Sequence, residues 1–218
     1  MIMLKFKAPV ISRMQVQAEA DRFRERFWPS GTMPVNINEI VEFDLEMEIR
    51  SIQGLRESSD IDALLLGDLK TIVVDRDIYM DDRMQNRLRY SLAHEIGHKM
   101  LHPNLYKNIS HESVDDWICF FKSIPEDQYS WIEQHAYEFA GRLLVPADNL
   151  KLDLGQAVKK AGKSGFMAWD ASGDAAREYI ANSLCRIYGV SSQVISKRIV
   201  REGLWPPNTN MPSEGNCK

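Results

Sequence analysis

The chain reads as an α+β fold: a small antiparallel sheet near the start, then helices to the end. Three features point there. Short alternating or apolar segments lie between residues 45 and 74, two long helices with strong apolar periodicity cover 82–101 and 129–144, and only helical spacing follows.

Taken in order, Val16, Ala20, Phe23 and Phe27 recur at helical spacing over residues 12–28, and Pro29-Ser30-Gly31 supplies a stop. Pro34 to Phe43 suggests a short helix. From Leu45 to Ile52, apolar Leu45, Met47 and Ile49 alternate with charged Glu46, Glu48 and Arg50, as in a half-buried strand. Ala63–Leu66 and Thr71–Val74 flank Gly67-Asp68 and read as a hairpin. The next helix runs from Asp82 to about Leu101, with Asp81 or Asp82 as N-cap and Pro103 beyond its end; Met84, Leu88, Leu92, Ile96 and Met100 form its apolar stripe. Residues 103–129 are expected to form a mobile flap with one helix from Ser113 to Phe121. The second long helix, Tyr129 to Leu144, is stopped by Pro146, and further helices are expected near 147–161, 173–188 and 191–203.

With 218 residues, one main domain and a small accessory piece are expected: residues 1–166, a helical, helix-turn-helix-like subdomain over 167–205, and a flexible Pro/Asn/Ser-rich tail over 206–218. A net charge of -4 and a pI of about 5.8 argue against broad charge-driven binding to nucleic acid. No apolar run approaches the ~18–20 residues that span a bilayer, and MIMLKFKAPV is too short and interrupted for a signal peptide, so the expected setting is the cytoplasm. Cys119, Cys185 and Cys217 are widely spaced with no C-x-x-C, which suggests free thiols and not a thiolate zinc site.

The chemistry is concentrated in His94-Glu95-Ile96-Gly97-His98. Histidines at i and i+4 share a helix face, so both imidazoles can reach one ion at ~2.0–2.1 Å. Glu95, turned about 100° away, can instead act as the base that deprotonates an attacking water. His102 continues the stripe but lies eight residues from His94, roughly 12 Å along the axis, too far to share that ion on a straight helix. A third histidine six positions after His98 is also missing, since Asn104 stands there. Glu133 is the better third ligand. It heads the stripe Glu133, Ala136, Ala140, Leu143, Leu144, whose two alanines allow close helix approach, and His135 should point elsewhere, to the surface.

The run Arg87-Leu88-Arg89-Tyr90-Ser91-Leu92-Ala93-His94-Glu95-Ile96-Gly97-His98, then Leu101-His102, then Glu133-x-x-Ala136-x-x-Phe139-Ala140-x-x-Leu143-Leu144-Val145-Pro146, resembles the ImmA/IrrE family of bacterial and phage metallopeptidases. The resemblance spans about Pro34 to Trp205. It implies a zincin-like peptidase domain with His94, His98 and Glu133 as metal ligands and Glu95 as catalytic base. The implied ion is Zn2+, with Mn2+ as another divalent option. One departure stands out: relatives often carry Asn or Asp four residues after the third ligand, where this chain has Tyr137. The Tyr137 hydroxyl is a candidate to orient a ligand histidine, and Tyr137, His102 and His111 are candidate donors to an oxyanion.

Ala181-x-x-x-Cys185-x-x-Tyr188-Gly189-Val190-Ser191-x-x-Val194-Ile195-x-x-Arg198-Ile199 resembles a helix-turn-helix, with Lys197, Arg198 and Arg201 adding positive charge. In the resembling family such segments pack on the peptidase or dock protein, so direct DNA binding is not expected. The resemblance implies an endopeptidase acting on a specific protein substrate, a helix-turn-helix repressor or antitoxin. The alternative is a non-catalytic regulator that binds a repressor or DNA through the same fold.

Overall fold

A computed structural model describes residues 7–107, 114–163 and 173–206. His111, Cys217, the tail beyond residue 206 and the domain boundary expected at 166 lie outside them. The chain divides into two compact units, Met1–Pro146 with Ile187–Val190, and Ala147–Arg186 with Ser191–Lys218. Helix 147–163, assigned to the first domain from sequence, thus groups with the second unit. The physical reason lies at Val145-Pro146: a residue before proline is held out of the helical region, and Val145 has φ -129 and ψ 80.

The first unit opens with helix α1 (Arg13–Phe27), capped by Ser12 and Gln15 in a reciprocal capping box and burying Val16, Ala20 and Phe23. A short helix α2 (Ile37–Glu39) continues into a wider π-turn over Ile40–Asp44. Strand β1 (Glu48–Ile52), helix α3 (Leu55–Ser59), strand β2 (Ala63–Leu65) and strand β3 (Thr71–Asp75) follow. The sheet is mixed, not antiparallel as expected. Its order is β1-β3-β2, with β2 and β3 antiparallel and β1 parallel to β3. The tight turn fixes the hairpin: Asp68 accepts from the backbone N–H of Lys70 and Thr71, and Leu66 N–H donates to Thr71. The connection through α3 is long enough to step over one strand position, and β3 then fills the gap. Central β3 is buried along its length.

After α4 (Arg76–Met80), a 3₁₀ turn over Asp82–Met84 leads into α5 (Gln85–Leu101), and the Asp81 side chain caps the turn. Leu88, Leu92 and Ile96 of the expected stripe are buried. One side of α5 is tied to the hairpin region at three levels: Arg87 to Asp62, Glu95 to the Leu65 N–H, and Lys99 to the Leu69 carbonyl. The region expected to be a flap contains α6 (Pro103–Lys107) and α7 (Val114–Ser123), and Tyr106 and Trp117 stack at 5.3 Å while both are buried. Helix α8 (Glu126–Leu144) packs on α5 and α1. Ion pairs hold its outer side to α1, Arg142 to Asp21 at 2.7 Å and Arg13 to buried Glu138, which also accepts a hydrogen bond from Gln17.

The second unit contains α9 (Ala147–Lys163), most of α10 (Asp174–Tyr188) and α11 (Ser192–Arg201). Gly189 at φ +60 turns the chain between the last two, and Ser191 caps α11. Arg177 and Glu178 of α10 both bond Ser196 of α11. Arg198 does not supply surface charge as the sequence suggested; it is buried and paired with Glu202, its i+4 neighbour.

Candidate metal centre

Helix α5 delivers His94 and His98 to one buried face, and α8 brings Glu133 opposite them. The approach is close because Gly97 faces Ala136: a Cβ on Gly97 would stand 3.1 Å from Ala136 Cα and 3.2 Å from its carbonyl oxygen. Any side chain there would push the helices apart. His94 Nε2 and His98 Nε2 are 3.0 Å apart, and the two carboxylate oxygens of Glu133 lie 3.2 Å from the first and 3.3 Å from the second. Zinc bonds of 2.0–2.1 Å at tetrahedral angles place ligand atoms about 3.3 Å apart. The three donors therefore fit one small cation, and two imidazoles with a carboxylate suit zinc chemically. Glu95 belongs to the same cluster, with ligand-type atoms of His94, Glu95 and His98 all within 4.8 Å of one another.

The family model described as the IrrE N-terminal-like domain, of the M78 peptidases, matches residues 70–200, well over half the chain. This chain belongs to the ImmA/IrrE family. No curated protein and no solved structure matches it. The matched region runs from the start of β3 through α5 and α8 into α11, so it takes in the whole cluster just described. A metallopeptidase-type function follows from that membership, and with it a protein substrate.

The ImmA/IrrE cluster has a second layer of contacts. The Glu95 carboxylate accepts from the Leu65 N–H at 2.7 Å, and burial pushes its pKa up against the opposing effect of the two histidines. Burial also pushes Glu133 up, but hydrogen bonds from His94 and His98 outweigh it and hold the carboxyl well below its ordinary value. The pKa of Tyr129, one turn before Glu133, is raised first by burial and then by the negative charge of that carboxylate. Burial lowers the His98 pKa, yet the Glu133 hydrogen bond and charge bring the net shift upward.

His102 is not turned toward the reacting side. It is buried behind His98, with Nδ1 3.2 Å from His98 Nδ1 and Nε2 3.2 Å from His135 Nδ1. With both nitrogens engaged it has none for an oxyanion, which corrects the sequence reading. Burial first, and its histidine neighbours second, push its pKa down to about 2. His135 is likewise no surface residue: it is 6% exposed, because α1 covers the side of α8 that the sequence pattern left open. The Tyr137 ring lies 4.4 Å from the His94 ring and is about half exposed. Its hydroxyl does not orient that histidine, since His94 Nδ1 is buried with no hydrogen-bond partner among the described residues.

Sequence reasoning missed Tyr129, His135 and the Leu65 N–H. The first was available, because a residue four before Glu133 shares its helix face. The other two depend on which elements cover α8 and α5, which no local pattern states.

Proposed function

We propose that this protein is an endopeptidase that uses a divalent ion held by His94, His98 and Glu133, with Glu95 as general base. Zinc is the ion best suited to two imidazoles and one carboxylate, and Mn2+ is the alternative. The observation that carries the reading is the spacing of the two imidazole Nε2 atoms and the Glu133 carboxylate beside a buried fourth group, Glu95, held by different contacts. A bound zinc ion would supply positive charge that polarises the scissile carbonyl and acidifies the attacking water.

The protein's own residues do the rest. Leu65 N–H fixes one oxygen of Glu95, leaving the other to take a proton from water and pass it to the leaving amine. Tyr137, half exposed beside His94, is our candidate donor to the oxyanion. The substrate we propose is a specific helix-turn-helix repressor or antitoxin, on the strength of the family resemblance.

Glu95→Gln is the test, run with wild type on co-expressed candidate partners. The variant should bind the same amount of zinc yet cut at least ~10²-fold more slowly, the usual scale for losing a general base. Cleavage at the wild-type rate would end this mechanism. Binding of a partner with no cleavage by wild type would favour the regulator reading.

A further inference from the structure

Two aromatic rings stand beside the proposed ion site, and the mechanism uses only the hydroxyl of one of them. Tyr90 lies one turn before His94 on α5, and Tyr137 lies one turn after Glu133 on α8. Residues a turn apart share a helix face, so these two rings extend the faces that already meet at the ligands. The Tyr137 ring is 4.4 Å from the His94 ring, and the Tyr90 ring is 6.4 Å from Tyr137 and within 20° of parallel to it. The Tyr90 hydroxyl donates to the Tyr137 carbonyl at 3.4 Å, so its side chain crosses from α5 to α8. The pair is a wall built by both helices.

A comparison with the His98 side separates this wall from ordinary core. Tyr106, 6.2 Å from His98, is 1% exposed and stacked on Trp117, whereas Tyr137 is 49% exposed. A single exposed ring is common on any surface. This one touches a proposed ligand, and a second ring fixes its place. A side chain on the residue flanking a carbonyl held at the ion branches roughly 2.5 Å from that carbon, and a phenyl group reaches several ångströms further. It would meet these rings.

The charged groups near Tyr90 already pair with one another: Arg87, one turn earlier on α5, bonds Asp62 at 2.8 Å, and Arg56 approaches the same carboxylate at 3.9 Å. What the wall offers a substrate is therefore ring surface. Aromatic rings prefer offset or edge contacts with centroids 4.5–7 Å apart, and the series from His94 through Tyr137 to Tyr90 already follows that spacing. A further ring would continue it.

We infer that Tyr90 and Tyr137 form a specificity subsite beside His94 that takes an uncharged aromatic side chain, carried by the substrate residue next to the scissile bond. The inference rests on the proposed metal centre for where that bond lies, and it leaves the Tyr137 hydroxyl to the oxyanion.

The experiment uses the zinc-loaded full chain and N-acetyl amino-acid hydroxamates, whose hydroxamate group chelates zinc while the side chain is varied. By calorimetry the Phe probe should bind about tenfold tighter than the Ala probe, with Leu between them and Lys no better than Ala. In Tyr90→Ala the preference for Phe over Ala should vanish, and in Tyr90→Phe, which keeps the ring, it should persist. Each ratio is read within one variant, so a change at the ion itself cancels. Equal binding of the Phe and Ala probes, a Leu probe as tight as Phe, a preference for Lys, or an undiminished ratio in folded Tyr90→Ala would overturn the subsite. If Tyr90→Ala does not fold, NMR of tyrosine-labelled wild type decides: the Phe probe must shift the Tyr90 and Tyr137 ring signals more than the Ala probe does. A wild type that binds neither zinc nor acetohydroxamate would sink the metal centre instead. N-acetyl-phenylalaninamide, which needs no ion, then tests the rings by the same NMR, and unmoved signals would overturn the subsite too.

Discussion

His94 and His98 are one helical turn apart and meet the same carboxylate, yet they are supported in opposite ways. Behind His98 stand His102 and then His135, with facing ring nitrogens 3.2 Å apart at each step. Behind His94 the buried Nδ1 has no partner among the described residues, and an aromatic ring, Tyr137, lies against the imidazole instead. A buried unpaired nitrogen costs about 1–3 kcal/mol. Packing can orient a ring, but it cannot select which nitrogen carries the proton. Four residues after Glu133 this chain has Tyr137, against His94, and the polar contacts are found at the other histidine.

The largest effect should come from removing what both sides share. Glu133→Ala, and His98→Ala beside it, should take the metal from about one ion per chain to none, read by elemental analysis of variants whose circular dichroism matches wild type. An ion retained in Glu133→Ala would break the comparison, since the two supported histidines would then not be meeting at that carboxylate.

Local pattern revealed the participants better than their surroundings. The His94, His98 and Glu133 convergence was legible because each residue sits on a long amphipathic helix, where spacing alone assigns a face, and because Ala136 and Gly97 announce close approach. The hairpin was legible for a similar reason, with Gly67-Asp68 between two apolar runs. The sheet's mixed topology was not, because strand order depends on which way a loop crosses and not on residues within a strand. His135 failed most instructively. Its position relative to Glu133 predicts that it turns away from the ion, as it does, but whether that direction is solvent or another helix is decided by α1, more than a hundred residues earlier in the chain. Arg198 was misread alike, since a charged letter does not show that it is buried against Glu202.

The asymmetry between the histidines can be sharpened by repairing the poorer side. Tyr137→Asn removes a half-exposed ring and offers an amide oxygen for the His94 N–H, which should tighten zinc by up to about tenfold, or ~1.4 kcal/mol. Chelator competition reads this directly. Unchanged or weaker binding would mean that ring packing already orients His94 as well as a hydrogen bond can, and the two sides would differ in means only.

The smallest expected effect concerns the two carboxylates, which repeat the contrast. Glu133 meets His94 and His98 and has its pKa lowered; Glu95 is buried on a single backbone N–H and has its pKa raised. A lowered carboxyl pKa stabilises the fold above the unfolded value of 4.5, and that stability is lost as pH falls through the folded value. A raised one has the opposite sign. The folded state holds the Glu95 proton more tightly than the unfolded chain, so stability declines as pH climbs from 4.5 through the folded value. Glu95→Gln keeps an acceptor for Leu65 and removes the charge. In metal-free protein at pH 7 it should therefore melt a few degrees above wild type, and the gap should close as pH drops toward 4.5 and wild-type Glu95 gains its own proton. A variant that melts below wild type at pH 7 would show that the base is not under strain when ionised. A gap independent of pH would assign the gain to packing instead of charge.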